Sequence, residues 1–230
     1  MSALHLDPDS HPWVGRRDAG APAPVPQTDP ETWLPPRATA DGTLRRMLLS
    51  ALVLFAERGY HAVPVREIAR GAGVRASSMY EHRASKEELL LDLMLIGHAE
   101  NHEWLRQAAE SGGDDPRRRL SEIVRAHVRM HATYPMLARV CNRELASLSA
   151  ASLERVLVER RASERLFLGA IELGIEAGVF AVPDAFLATA AIGAMGIRVA
   201  EWYTPDTAYN VEAVADAYAL FALRLVGCRT

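Results

Sequence analysis

The chain has 230 residues, of which 49% are hydrophobic and 24% are charged. This composition is typical of a globular protein with one large or two small domains, and it excludes collagen, a disordered chain and a disulfide-rich peptide. The net charge of −3 gives no overall sign of a nucleic-acid ligand, although every basic residue except Lys86 is an arginine.

Cysteine content and hydropathy indicate a compartment. Cys141 and Cys228 lie far apart and follow no metal-binding spacing, which favours a reducing environment. The chain starts without a basic region followed by an apolar run, and no apolar stretch is long enough to span a bilayer. We therefore expect a cytoplasmic protein with no membrane partner.

Residues 1–40 hold eight of the thirteen prolines. Proline removes a backbone donor and fixes φ, so neither a helix nor a central strand can continue through this segment. We expect a mostly disordered N-terminal tail. A tether packed loosely on the body explains Trp13 and Trp33 more simply than a docking segment does.

From residue 41 onward the pattern is helical. Apolar residues recur from Leu44 to Phe55 with the i, i+3, i+4 spacing of an amphipathic helix, which Asp41 can cap and Gly59 can end. Pro64 suits the first position of a second helix. Together these signals predict the first two helices of a small N-terminal domain.

A helix-turn-helix pattern follows at once. A short apolar stripe from Val65 to Ala72, the turn residue Gly73 and a third helix from about Ala76 to His82 have the spacing that places one helix in a DNA major groove. Ser85 and Glu88 then form a capping box that begins a fourth helix, which we expect to end near Ala109.

Five more helices are predicted to complete an all-α fold of about nine helices without a sheet. Their expected bounds are Pro116 to about Thr133, Pro135 to about Ser147, Ala151 to Ala177, Pro183–Asp184 to Tyr203, and Val211 to Val226. We divide the chain into a tail (1–40), a helix-turn-helix domain (41–88) and a ligand-binding and dimerisation domain (89–230).

The first helices carry a family resemblance over about fifty residues, in order and without gaps. The matching runs are Phe55–Tyr60, Val65–Ala69, Ala72–Val74, Met79–His82 and Ser85–Leu89. They resemble the DNA-binding region of the TetR family of transcriptional regulators. The resemblance implies a three-helix DNA-binding head, a C-terminal body that holds a small-molecule effector, and a homodimer.

The resemblance also implies which residues contact double-stranded DNA. The residues at positions where the family contacts bases or adjoining phosphates are Arg75, Ala76, Ser77 and Ser78. Those at positions that commonly touch the phosphate backbone are Arg66, Tyr80, His82 and Lys86. Lys86 lies in the first turn of its helix, where free N–H groups favour phosphate.

Three positions depart from the family pattern. Arg83 stands where the family usually has phenylalanine, so the junction between head and body is either looser or covered by the arginine stem. Pro64 replaces a hydroxyl residue that often binds phosphate. Arg75 replaces serine or threonine, and it can either pair with guanine O6 and N7 or contact phosphate.

The last two helices are predicted to form the dimer interface. One carries small and apolar residues and the other an apolar stripe that needs a partner. The first group is Phe186, Ala190, Ile192, Gly193, Ala194 and Gly196, and the second is Val214, Ala217, Tyr218, Phe221 and Leu225. If both helices are instead simply core, the dimer must form elsewhere.

Two further segments, Arg139–Leu145 and Arg198–Asp206, resemble an actinobacterial branch of the family that controls lipid and steroid breakdown and responds to acyl-CoA thioesters. Arg198 and Trp202 share a helix face, as do Arg139 and Arg143, so each pair is a candidate ligand-binding site. The alternative is an arginine packed over an aromatic ring at the surface.

Two histidine pairs, His98/His102 and His127/His131, also have i, i+4 spacing on consecutive helices. If the helices are antiparallel neighbours, the four imidazoles can face one cavity and line a ligand pocket. A divalent metal site is a further option, because histidine is a common ligand of zinc and nickel. That option supports the alternative function, a helical metal-binding protein or enzyme.

The sequence as a whole predicts a ligand-responsive DNA-binding regulator rather than an enzyme, with no required cofactor. We expect a repressor that a small-molecule effector, such as an acyl-CoA, releases from a near-palindromic operator, so that the protein is associated with the nucleoid when it binds DNA. Charge partition supports this view. Residues 41–90 hold eight cations against six acids, whereas the tail and the body are both net negative.

Overall fold

A computed structural model describes residues 29–36, 38, 42–75 and 85–228. This part of the chain contains eight α-helices, two short 3₁₀ turns (Pro30–Thr32 and Leu145–Ser147) and no strand. The helices are α1 (Gly42–Arg58), α2 (Val65–Gly71), α3 (Lys86–Gly112), α4 (Pro116–Thr133), α5 (Pro135–Arg143), α6 (Ala150–Glu176), α7 (Ala185–Trp202) and α8 (Val211–Leu225). The predicted third helix, 76–82, lies outside the described residues.

Local capping determines where most helices begin, as the sequence predicts. The hydroxyl of Ser85 accepts a hydrogen bond from the backbone N–H of Glu88 at 3.1 Å, so the predicted cap of α3 is confirmed. Asp184 caps α7 in the same way. Three bounds differ from the prediction: Pro64 is the N-cap of α2 rather than its first residue, α3 ends at Gly112 instead of near Ala109, and α5 ends at Arg143 instead of Ser147.

Helices α1 and α2 cross closely. The Ser50 hydroxyl donates to the carbonyl of Ile68 at 3.0 Å, and the Arg46 guanidinium donates to the carbonyl of Ala72 at 3.1 Å. A Cβ on Gly71 would lie 2.2 Å from the Ser50 hydroxyl, so glycine permits this approach. The crossing fixes the orientation of α2 against α1 and thus the direction in which the following turn leaves.

The end of the proline-rich segment packs into the core of the head. Leu34 is 1% exposed, and Trp33 packs against the same cluster of α1, α2 and α3 side chains. The Arg45 guanidinium donates to the carbonyl of Ala38 at 3.3 Å. The segment expected to be a loose tether therefore contributes a buried side chain in its last residues.

The body is built around α3 and α4, which pack along each other. Helix α6 lies against α3, whereas α7 and α8 cover α4. One hydrophobic cluster extends from Leu34 and α1 through α3 to Val140 of α5 and Val156 of α6. Head and body consequently share a core instead of being joined by a linker.

Helix α7 is long and apolar enough to cross a membrane by length and composition, but a third of it is buried inside the fold. Its outer face exposes Phe186 (65%) and Leu187 (64%), and α8 exposes Leu220, Phe221 and Leu225. These large side chains leave an apolar surface on the two helices.

Candidate functional site

The head exposes arginine side chains around the turn after α2. The backbone N–H of Val74 donates to the Ala69 carbonyl and that of Gly73 to the Arg70 carbonyl, with Gly73 at a φ of 68°. This is the Schellman arrangement, which ends a helix and turns the chain sharply. Arg75 follows it, exposed like Arg66. The predicted DNA contacts at Ala76, Ser77, Ser78, Tyr80 and His82, and also Arg83, lie outside the described residues.

Lys86 is bonded within the protein. Its ammonium group donates to the carbonyls of Tyr60 at 2.9 Å and Val63 at 3.0 Å, and it lies 4.0 Å from the centre of the Tyr60 ring. Partial burial lowers the pKa of this amine from its ordinary value. Since an ammonium group has three N–H donors, one is left for a phosphate, and the predicted DNA contact stays a prediction.

A second set of contacts joins the head to the loop before α6. The Glu87 carboxylate accepts a hydrogen bond from the backbone N–H of Ser149 at 2.9 Å. Hydrogen bonds from the side chain and the backbone of Ser149 hold the pKa of Glu87 below its usual range. The Ser147 hydroxyl lies 3.2 Å from Nε2 of His61. Because Ser149 caps α6, this contact ties the start of that helix to the head.

The body contains a cavity of about 450 Å³ between α3, α4, α5, α6 and α7, which is open to solvent on one side. This volume lies within the range of small-molecule binding sites. The residues of its wall come from distant parts of the sequence, from Gly97 on α3 to Ile197 on α7. The polar, charged and aromatic side chains of the wall include His98, Asn101, His127, His131, Arg160, Arg161, Ser163, Glu164, Arg165, Phe167 and Thr189.

Three of the four candidate histidines meet at this cavity. His98, His127 and His131 line it, and the rings of His127 and His131 are 4.3 Å apart. Burial lowers the pKa of His98 and His131 to about 4 and that of His127 well below its ordinary value. The cavity therefore presents uncharged imidazoles at neutral pH.

Both ring nitrogens of His127 face an oxygen atom, and the uncharged imidazole can donate to one of the two. Nδ1 lies 3.2 Å from the side-chain oxygen of Asn101, and Nε2 lies 3.1 Å from the carbonyl of Gly193 on α7. A Cβ on Gly196 would lie 2.0 Å from the ring of His127. Gly196, predicted for the dimer surface, is therefore buried inside the fold and makes room for this histidine.

The other predicted ligand-binding residues do not line this cavity. Arg143 forms an ion pair with Glu201, and the buried Arg139 donates to the carbonyl of Ala200 at 3.3 Å. Arg198 is exposed, whereas Trp202 packs on an apolar cluster of α4, α7 and α8. His102, one turn beyond His98, is also absent from the wall. Residues that share a helix face, such as Arg139 and Arg143, therefore do not lie together in the wall of this cavity.

The metal interpretation requires at least three ligands close together. Within the ranges 29–36, 42–75 and 85–228, no group of three His, Cys, Asp or Glu side chains could hold a metal ion. His127 is instead engaged by Asn101 and Gly193, and Nδ1 of His131 lies 2.8 Å from the carbonyl of His127. The alternative of a metal-binding protein or enzyme built on these histidines has no support in this geometry.

Helix α6 supplies residues that the sequence argument missed. Ser163 and Phe167 lie in the wall with little exposure, and Arg160, Arg161 and Arg165 lie near the solvent side. Arg160 lies 3.4 Å from the Glu164 carboxylate, and Arg161 pairs with Glu154. The only sequence signal was the density of arginine on α6, which solvated helices also show.

The predicted dimer surface divides into buried and exposed residues. Ile192 and Val214 belong to the interior, whereas Phe186, Ala190, Ala194, Phe221 and Leu225 are exposed. The exposed set lies on α7 and α8, and Phe186, Ala190 and Ala194 of this set also line the cavity. An apolar surface of this kind remains available after the body has formed its own core.

Comparisons with known proteins agree with this architecture. Residues 48–93 match "Bacterial regulatory proteins, tetR family" and residues 113–226 match "Tetracyclin repressor-like, C-terminal domain". The chain is 30% identical over 185 residues to the HTH-type transcriptional repressor KstR2 of Rhodococcus jostii (strain RHA1), a match that covers 79% of this chain and 90% of that protein.

Solved structures give the same result. A tetR-family regulatory protein from Rhodococcus RHA1 is 34% identical with a TM-score of 0.75, over 83% of this chain and 100% of that one. AibR in complex with isovaleryl coenzyme A and operator DNA is 20% identical with a TM-score of 0.72, over 82% of this chain and 100% of that one. At that identity the likeness to AibR is one of fold.

Proposed function

The chain belongs to the TetR family of transcriptional regulators, and from this premise we propose that it is a repressor released from DNA by an amphiphilic effector. Membership of this family establishes that the chain is a DNA-binding regulator with a ligand-binding body. The observation that carries the proposal is the cavity itself, because α3 both begins in the head and lines the cavity. A ligand there contacts the helix that supports the DNA-binding surface.

The proposed DNA interface consists of Arg66, Arg75 and Lys86 together with Ala76, Ser77, Ser78, Tyr80 and His82. Support comes from the charge of the described head, where residues 43–75 hold six arginines against two glutamates. Such a local field attracts phosphate even though the whole protein is acidic. In this proposal Arg75, which is exposed immediately after the turn, reads a guanine or holds a phosphate.

We place the homodimer interface on the exposed faces of α7 and α8. Phe186, Leu187 and Phe221 are 65%, 64% and 46% exposed, which is unfavourable in water unless a partner covers them. A two-fold axis at this surface presents two heads to the two half-sites of a near-palindromic operator. This packing also gives the apolar helix α7 a protein partner rather than a lipid one, in keeping with a cytoplasmic site of action.

For the effector we propose an acyl-CoA thioester or a related lipid metabolite. The cavity interior is apolar with uncharged imidazoles, and Arg161 and Arg165 are exposed beside it. An acyl group fits the first environment, and the phosphates of coenzyme A fit the second. AibR shares this fold and is solved with isovaleryl coenzyme A, so the fold accommodates such ligands.

DNA binding is tested by fluorescence anisotropy with the DNA upstream of the protein's own gene. We expect a specific complex whose affinity falls steeply with salt, because phosphate contacts release counterions. Arg75→Ala should weaken the complex at least tenfold, whereas Arg118→Ala, an exposed arginine of the body, should not. Equal effects of the two substitutions would reject the proposed interface.

Effector binding is tested with octanoyl-CoA and, as a control, coenzyme A alone. Octanoyl-CoA should raise the melting temperature and release the DNA, whereas the control should do neither. Arg165→Ala should weaken the response, and Arg155→Ala, on the same helix but away from the cavity, should leave it unchanged. Release of DNA by coenzyme A alone would show that the apolar cavity is not the site.

A further inference from the structure

Six polar side chains line the cavity with less than a tenth of their surface exposed: His98, Asn101, His127, His131, Ser163 and Thr189. Four of them are bonded within the protein. Asn101 donates to the Ser163 hydroxyl at 3.3 Å and lies beside Nδ1 of His127, and His131 lies against the His127 carbonyl. Together with Gly193 they form a chain of contacts from α6 and α3 through α4 to α7.

The remaining two side chains each have a buried polar atom without a hydrogen-bond partner in the part of the chain that the structure describes. These atoms are Nε2 of His98 and the hydroxyl oxygen of Thr189. His98 is 7% exposed and Thr189 is 6% exposed. Each lies about one turn along its helix from a member of this chain of contacts, His98 from Asn101 and Thr189 from Gly193. Buried polar atoms normally find partners, and both residues lie in the wall of the cavity, where a ligand can supply one.

We propose that the cavity recognises an uncharged oxygen, a carbonyl or a hydroxyl, on an otherwise apolar ligand through His98 and Thr189. This inference rests on the proposed function, because it takes the cavity as the effector site. It adds that the buried part of the effector is oxygenated, so that a plain alkyl or ring hydrocarbon of the same shape binds less well.

The charge of the surroundings favours a neutral group. Three uncharged imidazoles surround this part of the cavity, and the guanidinium of Arg160 lies near the carboxylate of Glu164 and donates to the Asn142 side chain. A carboxylate buried there would lose its hydration and meet Arg160, whose positive charge is already shared with Glu164 and the Asn142 side chain. A carbonyl or hydroxyl needs only the hydrogen bonds that the two side chains can give.

The test compares 1-tetralone with tetralin, two rings of nearly the same shape that differ by one carbonyl oxygen. Titrations of the full chain, followed by NMR, give the ratio of the two Kd values. We expect this ratio to favour the ketone in the wild type and to fall about tenfold in Thr189→Val and in His98→Leu, the loss expected for one hydrogen bond. Thr189→Ser keeps the hydroxyl and should keep the preference.

The variant Thr189→Val can also be tested without ligand, through its melting temperature. Removing an unsatisfied buried hydroxyl should stabilise the empty protein, so Thr189→Val should melt about 2–4 °C higher than the wild type while it binds the ketone less well. Opposite changes in stability and affinity separate ligand recognition from a structural role of Thr189.

Several results would overturn the inference. An unchanged ratio in Thr189→Val and His98→Leu means that water satisfies both atoms and that the cavity selects shape alone. Preference for tetralin-1-carboxylate over the ketone assigns the site to an anion, and binding of neither ring means that no apolar ligand enters. If the ketone preference holds but no cavity ligand alters DNA affinity, the proposed regulation fails while the recognition of oxygen stands.

Discussion

Replacing Gly196 with alanine should disturb the cavity by displacing the ring of His127, which lines its wall. The added Cβ would lie 2.0 Å from Cδ2 and 2.7 Å from Nε2 of His127. Ordinary contact begins near 3.4 Å, so the ring must retreat by about 1.4 Å. That ring is buried and also packs edge-on against Phe167, with their centres 5.3 Å apart.

The magnitude follows from three contributions. Overpacking a filled interior costs about 1–3 kcal/mol, and weakening the contact from His127 to Gly193 adds about 1 kcal/mol. Alanine gains up to about 1 kcal/mol of helix propensity over glycine. The net loss is about 2 kcal/mol in the free energy of unfolding, which corresponds to about 4–8 °C in melting temperature for a chain of this size.

Calorimetry or urea denaturation at fixed protein concentration measures this loss. Gly169→Ala on α6 is the matched control, because a Cβ there meets nothing within 4 Å, and it should leave stability unchanged or raise it by up to about 1 kcal/mol. Gly196→Ala should also weaken the binding of cavity ligands. If the two variants melt alike, the close approach of α7 to His127 is refuted.

Three further outcomes are expected. Burial lowers the pKa of His98 and His131 to about 4, so below about pH 6.5 the unfolded chain takes up protons that the folded chain excludes. The melting temperature should therefore fall as the pH is lowered from 6.5 to 4, and it should fall less steeply in His98→Leu. Lys86→Met should cost about 1–2 kcal/mol in urea denaturation, because two backbone carbonyls lose their donor; unchanged stability would leave Lys86 with a role in DNA binding alone. Leu34→Ala should cost about 2–5 kcal/mol, against less than about 0.5 kcal/mol for the exposed Thr32→Ala, and equal small effects would show that the proline-rich segment does not stabilise the head.

The sequence predicts the head and the helix bounds well because their signals are local. A serine three residues before a glutamate is enough to begin α3, and a glycine after α1 is enough to end it. Departures are small where neighbouring signals compete. Pro64 serves as an N-cap, and α5 gives way to a 3₁₀ turn at Leu145.

The cavity was predicted only in part because its wall is assembled by tertiary packing. Spacing of i, i+4 says that two side chains share a face, but it does not say which helix that face meets. Thus His98 faces the cavity with His127, whereas Arg198 faces solvent and Trp202 meets α4 and α8. The contribution of α6 could not be predicted for the same reason, since Ser163 and Phe167 line the cavity only because α6 packs against α3 and α4.

Helix α3 has a mechanical consequence. It is a single rigid rod of 27 residues, about 40 Å long, whose end at Lys86 is clamped to the head. His98 lies 12 residues from that end, or about 18 Å along the axis. A ligand that tilts the rod by about 5° at the cavity therefore swings the clamped end through about 1.6 Å. In the proposed homodimer, opposite swings of the two heads would add to about 3 Å, which shifts the two DNA-reading surfaces relative to successive turns of the double helix.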